Sequence, residues 1–312
     1  MITRKVSSNF LIIPAVAMCL LNVSLAGAQA NRTWVSPSGD DANNCNVNKP
    51  CKTFAGALAK TNAAGEIVVQ ESGGFGAVTI DRSVTINGNG NYAGIQSLTS
   101  TPAITVDASG GVVALRGLTL SGLNNGQIGI SVSDVAELYI DNCLISEFHN
   151  FGLDARFAAS TFIKDTIVRK VSSPGGIGVR LAGTSNLEHC RFEGNYFGIE
   201  VVSGKASITN SLVSGNTNGI YVHNTLVNSS ATVVTIEDCV VTGNSNGLYA
   251  SVIVSPDGTF PRIFYVSNTT IADNDIGIQN PGQPDIQVIS FGNNRLANNH
   301  TDGAFTSSKQ PQ

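Results

Sequence analysis

The sequence repeats one short phrase along most of its length. In each copy an aliphatic residue, a spacer and an Asn, an Asp or, once, a His precede two largely apolar positions, and an Asn then leads into a Gly-aliphatic pair. The phrase is clearest at 208–220 and 236–248, and looser at 140–153, 187–199 and 266–278. The glycine of the pair recurs after 20 residues (178 to 198) to 30 residues (247 to 277), at Gly129, Gly152, Gly178, Gly198, Gly219, Gly247 and Gly277. A repeat of this length predicts a solenoid.

The composition of each copy favours strands over helices. The segments between turns are short, alternate apolar with polar residues and are rich in β-branched side chains, whereas the Leu-x-x-Leu-x-Leu opening of leucine-rich repeats is absent. One position of the phrase carries side chains that tolerate left-handed backbone, so we expect it to form a sharp bend and its amides to hydrogen-bond from coil to coil. This bend column comprises Asn142, Asp165, His189, Asn210, Asp238, Asn268 and Asn293.

These repeats resemble the right-handed parallel β-helices of the pectate-lyase-like superfamily, in which each coil gives three short strands to three parallel sheets. The resemblance implies an all-β solenoid of about eight to ten coils over residues 66–300, with a tail at 301–312. Residues 31–65 resemble the N-terminal cap of that superfamily, in which Phe54, Ala57 and Leu58 of a short helix would face the first coil. The longer copies after Ile220 and Leu248 predict loops that border a groove, one of them at 254–262 with a Pro-Asp-Gly turn.

The first thirty residues have the pattern of a secretory signal peptide. Arg4 and Lys5 precede an apolar run that ends in small residues at Ala30, and Pro14 interrupts a run already short for a membrane anchor. Cleavage would leave 16 basic against 22 acidic residues, a net charge near -6 without a basic cluster. We therefore expect a secreted or periplasmic monomer with no membrane span and no nucleic-acid partner.

The cysteines fall into two groups. Cys45 and Cys51 are close in a loop and can form a small disulfide in an oxidising compartment. Cys143, Cys190 and Cys239 share one repeat position in alternate coils. Two coils at about 4.8 Å each place these thiols about 9 to 10 Å apart, beyond the roughly 7 Å limit for a disulfide. They are predicted to be buried free thiols, and no metal site is expected.

No complete catalytic signature of the superfamily occurs in the chain. The clustered aspartates of polygalacturonase-like hydrolases, the Asp-Pro-His-Asp of alginate epimerases and the Arg-centred motif of pectate lyases are all missing. The fold resemblance therefore leaves the activity open, since this scaffold carries many chemistries.

One set of side chains still forms a candidate site. The residues after each Gly-aliphatic pair should point outward from one sheet, and we call five of them the outer file: Asp154, Arg180, Glu200, Tyr221 and Tyr249. Arg156 and His223 follow two residues later on the same face. The register is ambiguous at one place, because Gly176-Ile177 and Gly178-Val179 compete for the same slot.

The outer file supports several interpretations. Aromatic residues favour binding of a polysaccharide or cell-surface polymer, with Tyr221, His223, Tyr249 and Arg156 as substrate-binding residues. Asp154, Arg180 and Glu200 are the catalytic candidates of a hydrolase or a lyase. A cation between two carboxylates lowers carboxyl pKa values, which favours a lyase with Arg as base and Ca2+ as cofactor over a hydrolase that needs a general acid. Stacked opposite charges are equally consistent with a passive surface or adhesin-like protein.

Overall fold

The computed structural model describes residues 29–223, 231–251 and 260–310. Nearly all of the predicted signal peptide, and positions 252–259 around the Pro-Asp-Gly turn, lie outside the described residues. One short helix, α1 (Phe54–Leu58), accompanies the strands in the described part. The strands are β1 (Ala30–Val35), β2 (Thr61–Val69), β3 (Gly73–Gly74), β4 (Val78–Ile80), β5 (Val84–Asn87), β6 (Ala93–Gln96), β7 (Ile104–Arg116), β8 (Leu118–Ser121), β9 (Ile128–Asp141), β10 (Leu144–Ser146), β11 (Phe151–Ala155), β12 (Ala158–Lys164), β13 (Ile167–Arg169), β14 (Ile177–Leu181), β15 (Thr184–Glu188), β16 (Arg191–Glu193), β17 (Phe197–Val201), β18 (Lys205–Thr209), β19 (Leu212–Ser214), β20 (Asn218–Val222), β21 (Thr232–Glu237), β22 (Val240–Thr242), β23 (Asn246–Ala250), β24 (Arg262–Ser267), β25 (Thr270–Ala272), β26 (Ile276–Gln279), β27 (Ile286–Ser290), β28 (Arg295–Ala297) and β29 (Ser307–Ser308).

The strands form a right-handed parallel β-helix, which confirms the predicted fold. Three rows of parallel strands run along the solenoid. The first row includes β11, β14, β17, β20 and β23, the second includes β12, β15, β18, β21 and β24, and the third is a separate sheet of ten strands in the described chain. The long strands β7 and β9 bend from the first row into the second, so these two rows are continuous.

The core is built from aliphatic side chains that stack along the solenoid axis. Each row contributes one inward file, and burial of each such side chain stabilises the fold by about 1.5 to 3 kcal/mol. The three buried files run through Leu153, Val179, Ile199, Ile220 and Leu248 in the first row, Ile163, Leu187, Ile208, Ile236 and Val266 in the second, and Val168, Phe192, Val213, Val241 and Ile271 in the third.

The bend column turns the chain between the second and third rows. All seven of its residues have φ between 44° and 53°, which confirms the predicted left-handed backbone. Within the bend column, Asn268 donates a side-chain hydrogen bond to Asp238 of the preceding coil, as expected. The continuous amide ladder lies at another position of the repeat, three residues before the repeat glycine. The buried amide ladder comprises Asn195, Asn216, Asn244 and Asn274 and ends at the partly exposed Asn299, which precedes Asp302 in place of a glycine. Its side chains hydrogen-bond from coil to coil at 2.9–3.1 Å. The bend residues are mostly exposed to solvent. A buried amide network therefore stabilises the fold at the position three residues before the repeat glycine, and not at the bend column.

The N-terminal helix closes one end of the core. Thr53 caps it by accepting a hydrogen bond from the Gly56 N–H at 2.9 Å, and Phe54, Ala57 and Leu58 are buried as predicted. Phe54 packs on Phe75 of the first coils with ring centroids 5.0 Å apart. The helix therefore covers apolar side chains that the open end of the solenoid would otherwise expose to water.

Both predictions about the cysteines are confirmed. Cys45 and Cys51 form a disulfide, and three buried cysteines are free among the described residues. In the coil after each free cysteine, a Thr or Ser occupies the same position, and its side-chain oxygen accepts a hydrogen bond from the N–H of Cys143, Cys190 or Cys239. Successive thiols are therefore separated by a coil that carries a hydroxyl. None of the described helices is long and apolar enough to span a membrane.

Candidate functional site

The five residues of the outer file lie in line across adjacent strands of the first row. Asp154 pairs with Arg180, Arg180 with Glu200, Glu200 with Tyr221, and Tyr221 with Tyr249. The same register pairs Leu153 with Val179, so Gly178 rather than Gly176 fills the repeat slot. The geometry predicted from the repeat therefore holds over five coils.

The repeat glycines allow this close stacking of the first row. A Cβ atom on Gly198 would lie 2.6 Å from the carbonyl oxygen of Gly219, and a Cβ on Gly219 equally close to that of Gly247. These contacts are too short for any side chain, and the atom that would have to move is backbone. Glycine is required here for close backbone approach, since these residues do not have positive φ.

The charged residues of the outer file form two separate ion pairs. Arg180 donates to Glu200, while Asp154 is bound by Arg156 through two hydrogen bonds of 3.0 Å. Asp154 and Glu200 are 7% and 3% exposed, so both carboxylates are buried with a partner. The expected arrangement, in which Arg180 acts on both acids at once, is replaced by one cation for each acid.

His223 completes the environment of Glu200. Its Nε2 lies 2.6 Å from Glu200 Oε1, and its buried Nδ1 has no hydrogen-bond partner in the described chain. Burial raises the pKa of a carboxyl, but the hydrogen bond from His223 and the positive charge of Arg180 outweigh it, and the pKa of Glu200 lies below its ordinary value. Glu200 is therefore an anion at neutral pH and orients the imidazole.

The aromatic residues stack on one another along the solenoid axis. The Tyr221 ring lies nearly parallel to those of Phe197, His223 and Tyr249, with centroids 4.6–4.9 Å apart. Its hydroxyl lies 2.5 Å from Ser251 Oγ. Since neighbouring rings cover the faces of Tyr221, its ring edge and hydroxyl are the parts left for contact with a ligand.

Three residues of this face were missed in the sequence. Phe151 and Phe197 directly precede a repeat glycine, and the Arg180 guanidinium lies 4.6 Å from the Phe151 ring centroid. Ser251 stands two residues after Tyr249, as His223 stands two after Tyr221. The spacing that selected His223 would therefore also have found Ser251.

The described residues contain no group of three or more His, Cys, Asp or Glu side chains arranged to hold a metal ion. The Ca2+ of the lyase hypothesis would have to compete with Arg156 for Asp154, and with Arg180 and His223 for Glu200. These two carboxylates thus do not form a ready set of oxygen ligands.

Comparison with solved structures supports the fold through one pectate lyase. The chain is similar to pectate lyase Pel9A, with a TM-score of 0.63 and 16% identity over 85% of this chain and 76% of that one. It also matches the A-modules of the mannuronan C-5 epimerases AlgE4 and AlgE6 of Azotobacter vinelandii, with 11% and 12% identity, TM-scores of 0.49 and 0.40, and coverage of 80% of this chain and 91% of each module.

No curated protein matches the sequence. The sequence model of the family described as "Right handed beta helix region" matches residues 67–252, more than half of the chain. On this match and the parallel coils described above, the chain belongs to the right-handed β-helix family.

Proposed function

We propose that this protein is exported and binds a polysaccharide or other cell-surface polymer along the outer file. The observation that carries the proposal is the unbroken register of Asp154, Arg180, Glu200, Tyr221 and Tyr249. Four strand intervals of about 4.8 Å make this surface about 19 Å long, which suits an extended chain better than a small molecule. The similarity of fold to a pectate lyase supports the same class of ligand.

The chemistry of the outer file suits hydroxyl-rich ligands. Its two carboxylates are balanced by Arg156 and Arg180, so the surface carries little net charge. Arg156 remains about one third exposed and can donate further hydrogen bonds, as can the tyrosine hydroxyls. The contacts with a sugar would be made through ring edges and polar groups, because the faces of Tyr221 are already covered.

Binding is tested by affinity electrophoresis in gels that contain polygalacturonate, mannuronan or a neutral glucan. We expect retardation by at least one polymer, and weaker retardation for Tyr249→Ala, Tyr221→Ala and Arg156→Ala. Tyr139→Ala is the matched control, since Tyr139 also stacks on a ring, that of Phe162, but lies on the second row. Equal retardation of all variants would exclude the outer file as the binding surface.

A second candidate function is catalysis at the same face, with His223 as general base. A carboxylate that fixes one imidazole nitrogen while the other has no partner is the usual arrangement of an oriented base. With Nε2–H donated to Glu200, Nδ1 carries the lone pair of His223. Because Nδ1 is buried, this hypothesis requires that polymer binding opens the surface over the imidazole, so that water or an acidic sugar C–H can reach Nδ1. Arg180 suits this role less well than His223, because a guanidinium is a weak base and Arg180 already donates to Glu200.

The catalytic hypothesis is tested with the same polymers, with and without Ca2+, by following unsaturated products and new reducing ends together. Unsaturated products would indicate a lyase, and reducing ends alone would indicate hydrolysis. His223→Gln should abolish turnover while keeping the unfolding midpoint close to that of the wild type, and Glu200→Gln and Arg180→Ala should reduce it. Full turnover in His223→Gln would exclude this base, and binding without turnover would leave the binding function alone. A passive adhesin-like role predicts neither turnover of these polymers nor retardation that depends on the outer file.

Export is supported by the Cys45–Cys51 disulfide, which needs an oxidising compartment. We expect the native protein to begin near residue 31 and to be monomeric. Mass measurement of the protein purified from its own cell envelope or medium, together with light scattering, would test both points. An intact N-terminus on exported protein would refute the cleavage site.

A further inference from the structure

A groove lies apart from the outer file, on the outward surface of the second row near its C-terminal end. Its volume is about 720 Å³. The ends of β21 and β24 and the turn after β27 form its walls. The lining residues on which the argument rests are Glu237, Asp238, Tyr265, Asn268 and Phe291. None of them belongs to the outer file.

The groove begins where a pattern of paired charges stops. In the coils nearer the N-terminus, the residues in register with Glu237 alternate in charge: Arg116, Asp141, Lys164 and Glu188. Ion pairs join Arg116 to Asp141 and Lys164 to Glu188. Glu237 lies instead between Thr209 and Ser267. Its exposed carboxylate, like that of its neighbour Asp238, forms no ion pair within the described chain.

The aromatic residues of the groove differ in geometry from those of the outer file. Tyr265 and Phe291 meet edge to face, with centroids 5.4 Å apart and an interplanar angle of 62°. In this arrangement each ring keeps at least one face that the other does not cover, and both side chains are partly exposed. Asn268 donates a side-chain hydrogen bond to Asp238 and so fixes the orientation of that carboxylate beside the rings.

We infer that this groove is a second binding site, for a pyranose unit that carries no acid group. The C–H face of the sugar would pack on Tyr265 and Phe291, and its hydroxyl or ammonium groups would donate to Glu237 and Asp238. The same two uncompensated carboxylates would repel a uronate. The site is distinct from the outer file and does not depend on the function proposed for it.

The test is titration calorimetry of the full chain with three oligosaccharides of equal length, built from glucose, glucosamine and galacturonate. We expect binding of at least one of the first two, weakened fivefold or more by Tyr265→Ala. The exposed Glu237→Lys should weaken the same binding at least threefold without loss of folding, which keeps the test decisive if Tyr265→Ala is unstable. Tyr139→Ala should leave it unchanged, because Tyr139 lies in neither the groove nor the outer file.

The inference is overturned by any of three results. These are the absence of binding by both the glucose and glucosamine oligosaccharides, equal affinity in Glu237→Lys and wild type, and galacturonate binding that persists in Tyr249→Ala but is lost in Tyr265→Ala. A polymer whose binding is weakened by outer-file variants, but not by Tyr265→Ala or Glu237→Lys, supports the proposed function and overturns the inference about this groove. Failure of the one proposal can therefore be told from failure of the other.

Discussion

Removal of one amide from the buried ladder should destabilise the protein strongly. The side chain of Asn216 takes part in four hydrogen bonds: it accepts from the N–H and the Nδ2 of Asn195 at 2.9 and 3.1 Å, and donates to Phe192 O at 3.0 Å and to Asn244 Oδ1 at 2.9 Å. Asn216 is 2% exposed, so water does not replace these partners readily. At about 1 kcal/mol for each bond, with an added cost for buried groups left unpaired, Asn216→Ala should lose about 3–5 kcal/mol.

The assay is equilibrium unfolding in urea, followed by circular dichroism and by tyrosine fluorescence. Agreement of the two probes would show whether the solenoid unfolds cooperatively, which the comparison of midpoints requires. Asn186→Ala is the matched control, since Asn186 is an exposed asparagine on β15 with no side-chain hydrogen bond in the described chain. We expect the control to change the free energy of unfolding by no more than about 0.5 kcal/mol.

The reasoning about the ladder is refuted if Asn216→Ala and Asn186→Ala have the same midpoint and slope. Such a result would mean that the coils relax enough to pair the orphaned groups elsewhere. A change in slope with cooperativity lost would instead indicate that the coils on either side of Asn216 unfold separately, as nearest-neighbour coupling in a solenoid allows.

Three further predictions follow from local contacts. Gly219→Ala places a methyl group 2.6 Å from the Gly247 carbonyl oxygen and should cost about 2–3 kcal/mol in urea unfolding, whereas Gly74→Ala, whose Cβ would meet only one atom at 3.9 Å, should be nearly neutral; equal costs would refute the close-approach argument. The folded pKa of Glu200 lies below its unfolded value of about 4.3, so its stabilising contribution is present above that pH and is lost as pH falls through the folded pKa. Glu200→Gln should therefore flatten the acid limb of stability against pH, and an unchanged limb would contradict the assignment. Burial raises the thiol pKa to about 12 in one case and about 11 in the other two, so a thiol reagent at about pH 8 should react only after unfolding with Cys143, Cys190 and Cys239; prompt reaction of the native protein would show that the thiols are accessible.

Much of the fold could be predicted because the repeat makes it a local problem. Left-handed backbone at Asn142 or Asn210 follows from the residue type, and the register of the outer file follows from the repeat glycine in every coil except the one where Gly176 and Gly178 compete. The separation of the three free thiols follows from their alternate spacing. Even the buried amide ladder had a signal, since Asn195 and Asn216 each stand three residues before a repeat glycine.

The sequence by itself determined the parallel β-helix, its bends and its disulfide, since each depends on residue type and on a period that can be counted. It left the register open between Gly152 and Gly178, where two Gly-aliphatic pairs compete, and the strand pairing decided for Gly178. Only the tertiary structure decided that Asp154 pairs with Arg156 and not with Arg180, that His223 reaches back to Glu200, and that an aromatic groove opens beside Glu237. These contacts join residues on different coils, or choose between partners of the same charge on one face. That choice depends on side-chain rotamers and on diagonal packing between rungs, which a repeat period does not encode.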